Sequence, residues 1–124
     1  MTEHIALVGD SILDNAKYTY GLPDVVTRLR MILPAGMKAT LLAVDGSTTA
    51  DLDSQASRLP SDVTHAVVSV GGNNAILQMD ALDVPVGSTG EALHVFGERV
   101  AAFEASYRAA IGGLVGRVPN TAIC

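Results

Sequence analysis

A chain of 124 residues, 48% hydrophobic and 17% charged, is long enough to bury a core and too apolar to remain disordered. Its net charge of -5, with no cluster of Lys or Arg, argues against a surface that tracks phosphates, so no nucleic-acid partner is expected. The lone cysteine, Cys124, excludes an internal disulfide and fits a reducing compartment.

The thiol reads as a small buried residue rather than a nucleophile. The N-terminal Met-Thr-Glu-His lacks a basic segment followed by an apolar one, and no apolar run approaches the length of a membrane span. The expected location is cytoplasmic.

The chain is organised around Ile5 to Asn15, Ile-Ala-Leu-Val-Gly-Asp-Ser-Ile-Leu-Asp-Asn. A short apolar run suited to a buried strand stops at Gly9, and Asp10 and Ser11 follow at once. A hydroxyl on the turn leaving a first strand is a candidate nucleophile, because ligands and catalytic groups in open α/β sheets gather outside the carboxyl ends of the strands. Ser11 has a second reading as a helix N-cap, and Asp10 as a cap of the following turn.

Pro23 then opens a helix with Asp24 in its first turn. Val25, Val26, Leu29, Ile32 and Leu33 form its apolar stripe, and Pro34 ends it. Lys38 to Val44 reads as a second buried strand, with Asp45 and Gly46 at its carboxyl end. Thr48 and Asp51 have capping-box spacing, and Leu52, Ala56 and Leu59 recur at helical intervals up to Pro60. His65 to Val70 is the third strand, followed by Gly71-Gly72-Asn73-Asn74. Asn73 and Asn74 are also read as residues tolerant of a left-handed turn.

Ala75 to Gly87 mixes helix and loop signals and is left unassigned. Ser88 and Glu91 repeat the capping box. Leu93, Phe96, Val100, Phe103, Tyr107, Ile111 and Leu114 then mark one stripe of a long amphipathic helix closed by Gly116 and Pro119. Thr121 to Cys124 reads as the beginning of a fourth strand.

Strands and helices alternate and each strand is nearly all apolar, which predicts a parallel sheet with helices on both faces, in one domain covering 1–124. Right-handed crossovers put every strand's carboxyl end on one rim. Acyl transfer to a rim serine needs donors aimed at the oxygen that becomes negative, and the Ser11 N–H, the Gly46 N–H and the Asn73 amide are candidates. Gly46 permits close backbone approach. The Gly-x-Gly-x-x-Gly fingerprint of dinucleotide binding does not follow the first strand, and the phospho-acceptor and partner Lys of a receiver domain are not matched.

With these residues in place, the chain resembles the SGNH hydrolases, the GDSL-type lipases and esterases. Gly9-Asp10-Ser11-Ile12 matches the first family block, with Ile12 where the family has Leu; Gly46 matches the second; and Gly71-Gly72-Asn73-Asn74 matches the third, with Asn74 in place of Asp. The resemblance implies a three-layer α/β/α, flavodoxin-like fold and a serine esterase acting on a small acyl or acetyl ester. Ser11 would be the nucleophile, Gly46 and Asn73 would complete the oxyanion hole with the Ser11 N–H, and Asp10 and Asn74 would support them. It implies no cofactor and no metal.

The family's last block, Asp-x-x-His, has no match. The expectation is a domain incomplete at its C-terminus, truncated after the fourth strand, with its catalytic His and Asp supplied from beyond residue 124 or by another chain. Its exposed edge should form a homodimer or pair with a complementing C-terminal segment. The alternative is a non-catalytic fragment or small-ligand binding module of the same fold.

Overall fold

A computed structural model describes residues 2–124. At its centre lies β1 (His4–Gly9), flanked by β2 (Lys38–Leu41) on one side and β3 (His65–Ser69) on the other, with β4 (Thr121–Ile123) beyond β3. The sheet order is β2-β1-β3-β4, and all three pairings are parallel. Registers such as Ile5 opposite both Ala39 and His65 align the strands so that their carboxyl ends share one rim.

Side chains alternate across this sheet with period two. Ala6, Val8, Ala66 and Val68 point to one face and pack with Leu52 and Ala56 of α2 (Leu52–Ala56) and Ile111 and Leu114 of α4 (Thr89–Arg117). Leu7 and Ala39 point to the other face, where Val26, Val25 and Leu29 of α1 (Val25–Ile32) cover them together with Leu33. The result is the expected three-layer α/β arrangement.

Local chemistry accounts for the element ends. Asp24 caps α1 by accepting the Thr27 N–H at 3.1 Å. Leu33 leaves the helical region because Pro34 follows it, adopting ψ 139°. Thr48 and Asp51 form both halves of the capping box, opening a turn of 3₁₀ helix (Thr49–Asp51) that runs into α2. At α4, Ser88 accepts the Glu91 N–H at 3.1 Å, but the Glu91 carboxylate takes the Gly87 N–H at 2.8 Å, one residue before the cap.

Several expectations need correction. Strand β2 stops at Leu41 because the Leu42 and Ala43 N–H groups both donate to the Leu7 carbonyl, which interrupts the ladder as a bulge does. The unassigned stretch is served by α3 (Gly72–Ile76) and a 3₁₀ segment (Met79–Asp83). Asn73 and Asn74 therefore lie in a helical turn, and Gly71 alone takes the positive φ, at 124°. Gly116 lies inside α4, which runs through Arg117.

The α4 stripe is buried only at its C-terminal end. Ile111 and Leu114 enter the core, whereas Leu93 and Val100 are each 64% exposed, because a helix of 29 residues is about 43 Å long and outruns the short strands it covers. Ile32 likewise points to solvent instead of joining the α1 stripe. Cys124 is exposed rather than buried.

On the α1 face, cover is centred on β1 and β2 and reaches β3 only at Val67. A hollow of about 480 Å³ opens over β3 and β4, lined by Ile5, His65, Val67, Thr121 and Ala122. Among the described residues no helix is long and apolar enough to cross a membrane.

Candidate functional site

Hydrogen bonds tie the three rim segments of interest to one another. The Asp10 N–H donates to the Ser69 carbonyl at 3.0 Å, which joins the ends of β1 and β3. The Val44 N–H donates to the Gly9 carbonyl at 3.1 Å, which brings in the segment after β2. Gln55 of α2, 2% exposed, reaches across to both: its Oε1 accepts the Gly9 N–H at 2.8 Å, and its Nε2 donates to the Gly9 carbonyl at 2.8 Å and to Ser47 Oγ at 3.1 Å.

The third segment is attached to the second by its two asparagines. Asn73 Nδ2 donates to the Ser47 carbonyl at 2.9 Å. Asn74 Oδ1 accepts the Thr49 N–H at 3.0 Å while its Nδ2 donates to Thr49 Oγ1 at 2.9 Å. Thr49 Oγ1 in turn lies 2.6 Å from Ser106 Oγ on α4. One amide N–H of Asn73 is thus committed to the backbone beside Gly46, and an amide carries two.

Ser11 occupies the turn after β1 and is half-buried. It does not cap a helix. The capping role in this turn belongs to Asp10, 4% exposed, whose Oδ1 accepts the Ile12 N–H at 3.1 Å and whose carbonyl accepts from Leu13 and Asp14. Gly9 has no room for a side chain: its φ is 133°, and a Cβ would fall on the Ser69 carbonyl oxygen. Close approach of the two strand ends therefore depends on that glycine.

Gly46 has φ 87° with open space where a Cβ would stand. The segment carrying it is held from outside. The Asp45 N–H donates to Asp14 Oδ2 at 2.7 Å, and the Tyr18 hydroxyl donates to the Asp45 carboxylate, 2.9 Å from Oδ2 and 3.1 Å from Oδ1. That hydrogen bond, followed by the charge of Asp45, raises the Tyr18 pKa above its ordinary value. Lys17 Nζ stands 3.7 Å from the same carboxylate.

Among the described residues no histidine joins this rim. His4 starts β1 at the opposite edge, buried between Asp62 Oδ1, 2.8 Å from Nδ1, and Thr40 Oγ1, 2.7 Å from Nε2. The His4 and Lys38 hydrogen bonds hold the Asp62 carboxyl down to about 2. His65 starts β3 with its Nδ1 2.9 Å from Thr64 Oγ1, and His94 is exposed on α4, 3.2 Å from Glu98.

Gln55, Ser47, Asp14 and Tyr18 were not among the site residues expected from the sequence. Gln55 was findable in principle: it falls on the Leu52, Ala56, Leu59 stripe, and a polar residue on a buried stripe signals a satisfied partner. A cavity of about 550 Å³ lies beside the rim between α3, the Met79–Asp83 segment and α4, and Gly71 and Asn74 are in its wall. Ser11, Gly46 and Asn73 do not line it.

No family model matches the sequence, and no curated protein matches it. Solved structures do. The extracellular lipase of Streptomyces rimosus superposes with a TM-score of 0.60 at 18% identity, over 99% of this chain and 58% of the lipase. Phospholipase A1 of Streptomyces albidoflavus NA297 gives 0.63 at 17% identity, over 99% and 58%. AlinE4, described as an SGNH-hydrolase family esterase, gives 0.48 at 16% identity, over 99% and 75%. The chain spans less than two thirds of either Streptomyces enzyme, and what it shares with them along its described length is the α/β fold expected of the SGNH hydrolases.

Proposed function

We propose that this chain is the nucleophile-bearing portion of an SGNH-type ester hydrolase acting on an acyl ester. Ser11 attacks the ester carbonyl. The Ser11 N–H, the Gly46 N–H and the second N–H of Asn73 receive the oxygen that becomes negative, and Asp10 and Asn74 fix the turns that present them. The observation that carries this reading is the hydrogen-bond chain from Gly9 through Gln55 to Ser47 and on to Asn73, which supports convergence of the three blocks. The Streptomyces lipase and phospholipase support the reaction class by their shared fold.

The general base comes from outside residues 1–124, either from a further segment of the same domain or from another chain. The edge strand β4 and the hollow over β3 and β4 are where such a segment pairs and packs. Light scattering of the chain at rising concentration tests whether this edge pairs with a second copy: a dimer is expected, and a monomer throughout contradicts that pairing and leaves the further segment. A cytoplasmic location belongs to the same proposal and rests on the lone cysteine; cell fractionation tests it.

The positions of His4, His65 and His94 favour a second reading for the chain alone, a non-catalytic module that binds small acyl ligands. Hydrolysis of p-nitrophenyl acetate separates the two. Turnover abolished by Ser11→Ala supports the hydrolase. Turnover that survives Ser11→Ala, or none at any protein concentration, leaves the module.

A further inference from the structure

We infer that Tyr18 is a positioning residue for acyl transfer: its hydroxyl latches the Asp45 carboxylate and thereby sets the direction of the Gly46 N–H. The role in acyl transfer rests on the ester-hydrolase reading; the latch does not.

Gly46 lies in a tight turn beyond the end of β2. The Ser47 N–H donates to the Val44 carbonyl at 3.1 Å, and φ is positive at Gly46, 87°, but not at Asp45. That combination is a type II turn with Asp45 and Gly46 at its two central positions. The Gly46 N–H belongs to the peptide between them. Type I and type II turns differ chiefly by reversal of that peptide, so the turn type decides which way this N–H points. Glycine adopts either sign of φ at similar cost, so the residue that makes a type II turn possible does not by itself keep it there.

The neighbours must therefore hold the peptide, and they do so from two sides. Ser47 is anchored in the interior by Gln55 Nε2, which donates to its hydroxyl at 3.1 Å, and by Asn73 Nδ2, which donates to its carbonyl at 2.9 Å. Asp45 is anchored from outside: its N–H donates to Asp14 Oδ2 at 2.7 Å, and its carboxylate accepts the Tyr18 hydroxyl at 2.9 and 3.1 Å. Tyr18 ends a single turn of 3₁₀ helix (Ala16–Tyr18) that is tied to the head of α1, where Asn15 Oδ1 accepts the Val25 N–H at 3.0 Å. One of the two outer ties is thus a phenol 58% exposed, which can be removed without opening the core.

Charge does not substitute for that hydroxyl. Lys17 Nζ stands 3.7 Å from Asp45 Oδ2 on a side chain 79% exposed, and so exposed a pair contributes little. The hydrogen bond to Asp45, then the Asp45 charge and more weakly that of Asp14, raise the phenol's pKa, so it remains a donor in mildly alkaline solution.

The test follows acetylation of Ser11 by p-nitrophenyl acetate at mildly alkaline pH, together with amide NMR relaxation of the 124-residue chain. Tyr18→Phe should acetylate Ser11 about tenfold more slowly with little change in melting temperature, because the donor is misdirected rather than removed. Its Gly46 amide should gain exchange broadening or a lowered order parameter that the wild type lacks. Asp45→Ala should match Tyr18→Phe, and the double variant should be no slower than either. Asp45→Asn, which keeps an oxygen acceptor, should regain most of the rate, and Lys17→Ala should leave it unchanged.

A wild-type rate in Tyr18→Phe overturns the proposal. So do multiplied losses in the double variant, an Asp45→Asn rate as low as that of Asp45→Ala, and unaltered Gly46 relaxation. Should Tyr18→Phe fold poorly, the Asp45→Asn and Asp45→Ala pair decides. No acetyl on Ser11 in the wild type removes the hydrolase reading; altered Gly46 relaxation in Tyr18→Phe then keeps the latch, and unaltered relaxation removes it as well.

Discussion

Gln55 closes on Gly9 from both sides, its Oε1 accepting the Gly9 N–H and its Nε2 donating to the Gly9 carbonyl, each at 2.8 Å. Beyond the end of β2 only the Val44 N–H reaches Gly9 on that side, and the side-chain amide completes the pairing. Because the same Nε2 also reaches Ser47, the residue sets the spacing between the turn of Ser11 and the segment of Gly46.

Gln55→Leu should lower unfolding free energy by about 2–3 kcal/mol, since it leaves the buried Gly9 N–H without an acceptor. Gln55→Glu keeps that acceptor but turns a carboxylate oxygen toward the Gly9 carbonyl. Burial and that repulsion raise the new carboxyl's folded pKa above its unfolded value. Its stability deficit should therefore shrink at acid pH and grow as pH rises through the carboxylate range. Denaturant melts at acid and neutral pH check both, and equal deficits at the two pH values would contradict the clamp.

Two glycines on the rim should respond differently to alanine. Gly9→Ala forces a Cβ onto the Ser69 carbonyl in a left-handed conformation, and a loss of at least about 3 kcal/mol or failure to fold is expected. Gly46→Ala meets open space and suffers only from φ 87°, about 1–2 kcal/mol. Melting temperatures of the pair give the order directly.

The long helix should be energetically lopsided. Leu114→Ala, 1% exposed in the core, should cost about 2–5 kcal/mol, and Leu93→Ala no more than about 0.5 kcal/mol. Similar losses at both would mean that the front half of α4 is covered in solution.

Acid stability should report the pole opposite the rim. Asp62 is held down to about 2, first by its hydrogen bond with His4 and then by that with Lys38. Its folded pKa lies below its unfolded one. Its contribution is therefore complete above about pH 4 and disappears as pH falls through about 2. Wild-type melting temperature should drop more steeply across that window than that of Asp62→Asn, and parallel profiles would contradict the assignment.

What the sequence made legible was local. The Thr48 and Asp51 capping box, the Asp24 start and Pro34 stop of α1, and the four parallel strands each follow from residues within a few positions of one another. The part of the site that escaped is long-range: Gln55 lies 46 residues from Gly9, and Asn73 lies 26 from Ser47. Periodicity identified one face of α4 but not what lies opposite it, so Leu93 and Val100 were expected in a core that does not extend to them. Asn73 and Asn74 were read as turn formers because Gly-Gly precedes them, yet Gly71 alone takes the left-handed conformation and frees them for a helical turn.

The most direct test of the hydrolase account is acyl transfer to Ser11 itself. After prolonged incubation with excess p-nitrophenyl acetate at mildly alkaline pH, where hydroxide replaces the general base that residues 1–124 do not supply, peptide mass spectrometry should find one acetyl group on the peptide containing Ser11. It should be absent in Ser11→Ala and form about 10²–10³ times more slowly in Asn73→Ala, the usual effect of losing one oxyanion donor. An unmodified Ser11 with acetyl on lysines such as Lys17, or an Asn73→Ala rate equal to wild type, would contradict the account.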